Sequence, residues 1–282
     1  MQTESPKTVL VHDFTAVTEL PGSNATHEQV ARLYHRYYTA SRYAANKRVL
    51  EVACGAGLGL GYLARVARSV VGGDYTAHLL QVAQSHYRGQ VPLCRFDAQH
   101  LPFRSKSYDL ILIFEALYYL AQAEGFIAET RRLLADDGIL LMSTVNKDWS
   151  EFIPSPFSVR YFSVPALRDL LIQGGFTRLE FFGAFPTAVT TTKEKIVSLV
   201  RRAATSLNLV PKTLAGRERF KRLFYGHLQP LKPEVEDGMA NLLPLVPIDE
   251  HLPTTQYKII YAVGHLAHSA RMVPHPSQIA SF

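Results

Sequence analysis

Cysteine is scarce in this chain, with Cys54 and Cys94 alone among 282 residues. Two such residues, forty apart, provide neither a disulfide framework nor a zinc-ligand spacing. Long apolar runs are missing as well. No stretch approaches 18 uninterrupted apolar residues, so no membrane-spanning helix is expected. The opening MQTESPKTVLVHDF has no basic region followed by an apolar segment, so no secretory leader is expected and a cytoplasmic location is the default. Low-complexity linkers and internal repeats are absent too, which argues against a string of small modules. With 47% apolar and 19% charged residues the composition is that of an ordinary folded domain with a sizeable core.

Charge is unevenly spread. Between Pro186 and Lys232 there are ten Lys or Arg against Glu194 and Glu218, a local excess of +8, whereas the whole chain carries +6. A solvated helix face accounts for such a segment most simply, and a partner of opposite sign is the alternative.

The apolar pattern switches between strand-like runs and helical spacing. Strands are predicted at 48–53, 69–73, 92–96, 109–114 and 138–144, with helices at 59–68, 76–88 and 122–135 between them. This alternation predicts βαβ units and a parallel sheet, which binds ligands at the carboxyl ends of its strands. Before that core, Thr26-x-x-Gln29 reads as a capping box opening a helix to Ala44, with Val30, Leu33, Tyr34, Tyr37, Tyr38 and Ser41 on one face. After it come a helix from Ser163 to Gly174 and a strand at 178–183. An insertion at 186–253 follows, with helices at 192–207 and 216–228, and 256–266 reads as a last strand returning to the sheet. The predicted organisation is a helical cover at 1–44, a core at 45–185, a mostly helical lid at 186–253, and a final strand and tail at 254–282.

The segment VLEVACGAGLGLGYLA, residues 49–64, places Gly55, Gly57, Gly59 and Gly61 where a helix begins. Each glycine inside a helix costs about 1 kcal/mol relative to alanine, so a close approach of backbone to a ligand is the offsetting reason to seek. The dinucleotide pattern G-x-G-x-x-G fails in both frames, because its third glycine falls on Leu60 or Tyr62.

Glu51-Val-Ala-Cys-Gly55-Ala-Gly57 instead resembles the first motif of class I S-adenosylmethionine-dependent methyltransferases. The resemblance continues through VVGGDYTAHLL (70–80), RFDAQHLPF (95–103), YDLILIFEALYYL (108–120) and LLADDGILLMSTVNKD (133–148) in the family's order. It covers roughly residues 45 to 185, and its nearest branch methylates quinones, lipids and specialised metabolites. It implies a Rossmann-like α/β sheet flanked by helices and S-adenosyl-L-methionine as cofactor. It further implies that the Gly55–Gly57 backbone and Glu51 meet the methionine portion, and that Asp74 accepts from the ribose hydroxyls. Tyr75 would cover the adenine face, Asp97 and the Ala98 N–H would meet its edge, and Phe114 and Glu115 would border the acceptor. Ala53 departs from the glycine that the family often has there. Taken singly, Glu51 reads as a cap or ion pair, and Asp74 and Asp97 as turn residues.

Tyr118, Tyr119, His35 and Asn146 are the candidates for aligning the acceptor or taking its proton, with Tyr34, Tyr38, Lys147, His227 and His251 behind them. Packing is the plainer role for the tyrosines, and a structural role for His35. The expected acceptor is a small, lipophilic molecule bearing an O, N or C nucleophile, and the basic insertion would suit a phosphate, a carboxylate, an acyl carrier or an anionic membrane surface. Three rivals are weighed. A nucleic-acid methyltransferase acting on base amines lacks its Asp/Asn-Pro-Pro-aromatic motif here, where the chain reads Ile113-Phe114-Glu115-Ala116-Leu117. A non-catalytic protein of the same fold would not need the three acids, and a nicotinamide oxidoreductase lacks its fingerprint.

Overall fold

The computed structural model describes residues 13–187 and 228–266. Its centre is an eight-stranded sheet in the order β4-β3-β2-β5-β6-β10-β7-β9. Strands β2 (Arg48–Val52), β3 (Ser69–Asp74), β4 (Leu93–Arg95), β5 (Tyr108–Phe114) and β6 (Leu134–Val145) run parallel. β10 (Tyr257–His265) runs against them and separates β6 from β7 (Arg178–Pro186), while β9 (Val246–Pro247) forms the edge.

The central strands are apolar without alternation because both of their faces are covered. Val49, Leu110, Leu112 and Leu141 pack on the side of the N-terminal helix. Leu50, Val52, Ile111, Ile113 and Leu140 pack on the opposite side. Helices α1 (His27–Ala44), α2 (Leu60–Ala64) and α3 (Ala77–Tyr87) contribute to the first layer, and α4 (Ala123–Leu133) and α5 (Val164–Gln173) to the second. Thr26 caps α1 as its sequence predicts: its hydroxyl accepts from the Gln29 N–H at 3.1 Å, and the Gln29 side chain accepts from the Thr26 N–H at 2.9 Å.

Several boundaries differ from expectation. α2 has five residues rather than the ten predicted at 59–68. Beyond it the chain is diverted into a turn, in which the Asn46 N–H donates to the Val66 carbonyl and the Arg68 N–H to that of Lys47, both at 2.9 Å. β6 begins at Leu134, directly after α4, instead of at 138. Of the predicted helical insertion, 192–207 and nearly all of 216–228 lie outside the described residues. The described part, from β8 (Leu228–Pro230) onward, holds no helix. It forms an extended strap. β8 pairs antiparallel with β1 (Asn24–Thr26), Leu231 and Val235 are buried, and the Val235 N–H donates to the Leu58 carbonyl at 2.7 Å. Among the described residues no helix is long and apolar enough to cross a membrane.

β2 and β5 are each followed by a residue with left-handed backbone, Ala53 at φ 58° and Glu115 at φ 52°. That conformation costs an ordinary residue about 1–2 kcal/mol and is concentrated at functional sites. Replacing Ala53→Gly should therefore stabilise the fold by about 1 kcal/mol, raising the melting temperature by roughly 2 °C in calorimetry. An unchanged or lowered transition would contradict the strain.

Candidate functional site

A cavity of about 540 Å³ opens where β2, β3 and β5 end, a volume suited to a small organic ligand. Its floor is the turn after β2. There the Gly55 N–H donates to Asp74 Oδ2 at 2.9 Å, and the Thr76 N–H to Asp74 Oδ1 at 2.8 Å. Asp74 thus clamps the glycine turn to the end of β3. Asp74 also lines the cavity, so a ligand there meets its carboxylate. Gly55 has φ 57°, and a Cβ there would lie 2.9 Å from Thr18 Cγ2 of the N-terminal segment.

The other glycines serve neighbours of the turn. A Cβ on Gly59 would fall about 2 Å from the Tyr37 ring, with Cε1 at 1.9 Å. A Cβ on Gly61 would meet the Glu234 carboxylate of the strap at 2.4 Å. The glycine run therefore admits a helix side chain and a strap as well as the floor of a cavity.

Glu51 is the centre of the site. It is 1% exposed, and its Oε1 accepts from the Tyr37 hydroxyl at 2.7 Å. Its Oε2 is buried with no partner in the chain. Burial pushes the carboxyl up to about 7, although the Tyr37 hydrogen bond and the nearby Arg36 pull the other way. A buried, half-satisfied carboxylate is costly unless something completes it. An ammonium donor on a ligand would do so.

The structure brings ten of the predicted site residues to this cavity. Glu51, Gly55, Asp74, Tyr75, Asp97 and Ala98 line the β2–β4 side, and Phe114, Glu115, Tyr118 and Tyr119 the β5 side. Asp97 Oδ1 accepts from the Gln99 N–H at 2.9 Å, which fixes its orientation. The Arg95 guanidinium lies 6.0 Å from the Tyr75 ring centre. Glu115 is half-buried, and desolvation raises its carboxyl above the usual range. Tyr118 stacks on Tyr161 at 4.4 Å, and burial holds its hydroxyl well above the usual phenol range. That hydroxyl is a donor, not a base.

Three predicted residues lie elsewhere. The Gly57 N–H and carbonyl are spent on Cys54 and on the Tyr87 hydroxyl, at 3.0 and 2.7 Å. His35 is buried between Tyr261 Oη at 2.8 Å and the Leu243 carbonyl at 3.0 Å. A carbonyl only accepts, so Nε2 carries the proton and Nδ1 accepts from Tyr261. Burial lowers the basicity of this ring, which is a core element rather than a base. Asn146 is fully buried, and its amide bridges the Thr254 and Tyr257 carbonyls, each at 2.7 Å. Tyr34, Tyr38 and Lys147 are also outside the cavity, and Lys147 pairs with Asp148. His251 is exposed beside Glu250, and His227 lies outside the described residues.

Other wall residues escaped the sequence reading. Gln29, Arg32, Leu33, Arg36 and Tyr37 of α1 all face the cavity, as do Phe14, Thr18 and Glu19 ahead of it. The signal was present in α1, since positions 29, 32, 33, 36 and 37 follow the period of one helical face. The face read for α1 follows its apolar residues and leaves out Arg32 and Arg36.

Residues 50–142 match the family described as a methyltransferase domain. The match takes in 93 of the 282 residues. Most of β2, strands β3–β5, the glycine turn and most of the cavity floor fall within it. A "Probable S-adenosylmethionine-dependent methyltransferase" of Mycolicibacterium smegmatis is 33% identical to this chain over 171 residues, 56% of this chain and 61% of the relative. A phthiotriol/phenolphthiotriol dimycocerosates methyltransferase of Mycobacterium ulcerans is 37% identical over 112 residues, 39% of this chain and 41% of the relative. The chain thus spans only part of the curated relatives it matches, from about two fifths to three fifths of their lengths. The YcgJ protein of Bacillus subtilis shares the fold, with TM-score 0.54 at 17% identity, covering 83% of this chain and 99% of that one.

Glu51 raises a testable linkage. Its native carboxyl lies near 7 and its unfolded one near 4.5. Between those values the unfolded state loses its proton first, so stability falls as pH rises and the penalty is complete above pH 7. Glu51→Gln removes that penalty. The variant should resist urea better than the parent at pH 8, by roughly 3 kcal/mol, and match it near pH 4.5. A gain independent of pH would mean that Glu51 is not the titrating group.

Proposed function

We propose that this chain is an S-adenosylmethionine-dependent methyltransferase acting on a small acceptor with a substantial apolar part. One observation carries the reading: Glu51 with its unpartnered Oε2, Asp74 and Asp97 converge on one cavity at the carboxyl ends of parallel strands within a methyltransferase domain. These residues fit the cofactor. Asp74 lines the cavity with a carboxylate suited to ribose hydroxyls, Asp97 is oriented beside the Ala98 backbone, Tyr75 offers an aromatic face, and Glu51 lacks a donor for its Oε2. When bound, S-adenosylmethionine supplies a methyl group already activated on a sulfonium.

What remains for the chain is to hold the acceptor in line and keep water out. Orientation of this kind is worth roughly 7–11 kcal/mol of a barrier. Phe14, Leu33, Phe114 and Leu120 provide apolar wall for the acceptor, with Tyr118 and Tyr119 as hydrogen-bonding edges. Where the acceptor atom bears a proton, Glu115 is better suited to accept it than either tyrosine, because phenols held above their ordinary range do not act as bases near neutrality. The M. ulcerans relative, named for dimycocerosate acceptors, supports an apolar substrate class. O, N and C nucleophiles remain equally compatible with these walls.

Calorimetric titration of the whole chain tests the reading. S-adenosylmethionine and S-adenosylhomocysteine should bind at micromolar concentration, and NAD should not. Asp97→Ala should weaken both adenosyl ligands roughly tenfold, the worth of one good hydrogen bond to a charged group. Asp97 is the better first target than Asp74, whose removal would also release the Gly55 and Thr76 N–H groups. NAD binding with no response to either adenosyl ligand would overturn the proposal.

A further inference from the structure

The loop between β6 and α5 carries a side chain that its backbone disfavours. Pro156 and Phe157 form the middle of a tight turn, closed by the Ser158 N–H and hydroxyl, which donate to the Ser155 carbonyl at 3.2 and 2.7 Å. Phe157 has φ 67°. Proline followed by a left-handed residue is the pattern of a type II turn, whose third position favours glycine or asparagine. A bulky residue there is strained, and strain of this kind gathers at ligand sites. The ring is also 48% exposed, so burial does not offset its cost. Two cavity tyrosines hold the turn in place. Tyr119 Oη lies 2.6 Å from Ser155 Oγ, and the Val159 N–H donates to the Tyr118 carbonyl at 2.8 Å. Phe14 of the cavity wall touches both parts: its ring centre is 5.2 Å from that of Tyr119 and 6.3 Å from that of Phe157, which it meets edge-on. The aromatic wall therefore continues out of the cavity through Phe14 to Phe157. Ile153 and Val159, on the same loop, are 47% and 60% exposed. Three of the eight large apolar side chains exposed among the described residues thus fall within seven positions beside the cavity mouth.

We propose that Phe157, flanked by Ile153 and Val159, is a platform outside the cavity mouth that seats an apolar tail of the acceptor. The proposal rests on the S-adenosylmethionine reading above for what the tail is attached to. It narrows the acceptor to molecules whose reacting group enters the cavity while an apolar chain runs out past Phe14. Cofactor and reacting group share about 540 Å³, so the rest of a long acceptor leaves by the mouth. A tail laid on the platform removes its own methylenes and three exposed side chains from water, which is worth up to about fourfold in affinity per methylene. A bilayer surface is the other apolar partner that such a patch admits. Across 147–162, however, Lys147 and Arg160 are balanced by Asp148 and Glu151, so the loop has no charge excess to draw it to an anionic surface. Its continuity with the cavity wall favours the acceptor.

Ligand-observed NMR titration of the whole chain, with S-adenosylhomocysteine present, tests the platform with 1-hexanol and 1-decanol as short and long tails. The parent should bind decanol at least about tenfold more tightly than hexanol. Phe157→Gly should weaken decanol roughly tenfold and change hexanol by less than about twofold, because the short probe stays within the cavity. Phe157→Leu, which keeps an apolar side chain, should fall between. Glycine relieves the left-handed backbone, so the Phe157→Gly melting temperature should stay within about 3 °C of the parent. A larger drop would assign Phe157 a packing role and overturn the proposal. Ile172→Ser, near the C-terminal end of α5 and 45% exposed in the parent, should leave both alcohols unaffected. Equal losses for the two alcohols in Phe157→Gly, no loss for either, or the same losses in Ile172→Ser would overturn the platform. Phosphatidylcholine vesicles that sediment the parent but not Phe157→Gly, with no preference for decanol in solution, would assign the patch to a bilayer instead. If S-adenosylhomocysteine fails to bind while the decanol preference and its loss in Phe157→Gly persist, the cofactor reading fails and the platform stands as a tail-binding site.

Discussion

One hydrogen bond, from the Tyr37 hydroxyl to Glu51, joins the N-terminal helix to the strand that feeds the glycine turn. Much of the site follows from it. For Tyr37 to reach Glu51 its ring must cross the start of α2, and Gly59 has no side chain there because the ring occupies the space. With Tyr37 in place, Arg36 and Leu33 on the same helix become cavity wall. The segment Phe14–Val17 then closes the other side, held in part by the Arg36–Glu19 pair. A polar bond inside an apolar layer is worth more than a surface one, and leaves a larger deficit when broken. Here it positions a carboxylate whose other oxygen is left open.

The geometry divides labour between two kinds of element. Asp74, at the end of a rigid strand, holds the glycine turn through two backbone N–H groups, so the floor is fixed before a ligand arrives. The α1 face brings arginine side chains instead, which pair within the protein and keep spare donors. Such an arrangement suits a ligand with a rigid nucleoside and a flexible charged tail. The strained residues Ala53 and Glu115 mark where the two parts meet, each turning the chain out of a sheet strand at the cavity rim.

How much of this was legible depended on the range of the interactions involved. The central strands were plain, because burial on both faces makes Leu110 to Ile113 apolar without a break, whatever surrounds them. The acids Glu51, Asp74 and Asp97 were legible through their order relative to the glycine turn. The length of α2 was not, since it is cut by bonds from Asn46 and to Lys47, residues on another element. A structural role was the plainer reading of His35, but its partners, Tyr261 and the Leu243 carbonyl, were not legible because they are more than two hundred residues away in the sequence. Asn146 misled in the same way, its amide being consumed by the 254–257 loop. The strap was invisible for a similar reason: nothing in LQPLKPEVEDG announces that Val235 pairs with Leu58 and Glu234 fills the space above Gly61.

The placement of β10 also bears on how the chain is assembled during synthesis. β7 emerges from the ribosome long before β10, yet its paired neighbours are β10 and the two-residue β9, both made later. β1 likewise waits for β8. The parallel half of the sheet, β2 to β6, can close on sequentially local contacts, whereas β7 is joined to it only when Tyr257–His265 is available. Non-local closures of this kind are slow and leave strand edges exposed meanwhile. A nascent chain can therefore form the cavity floor early, but completes its sheet only when β10 arrives.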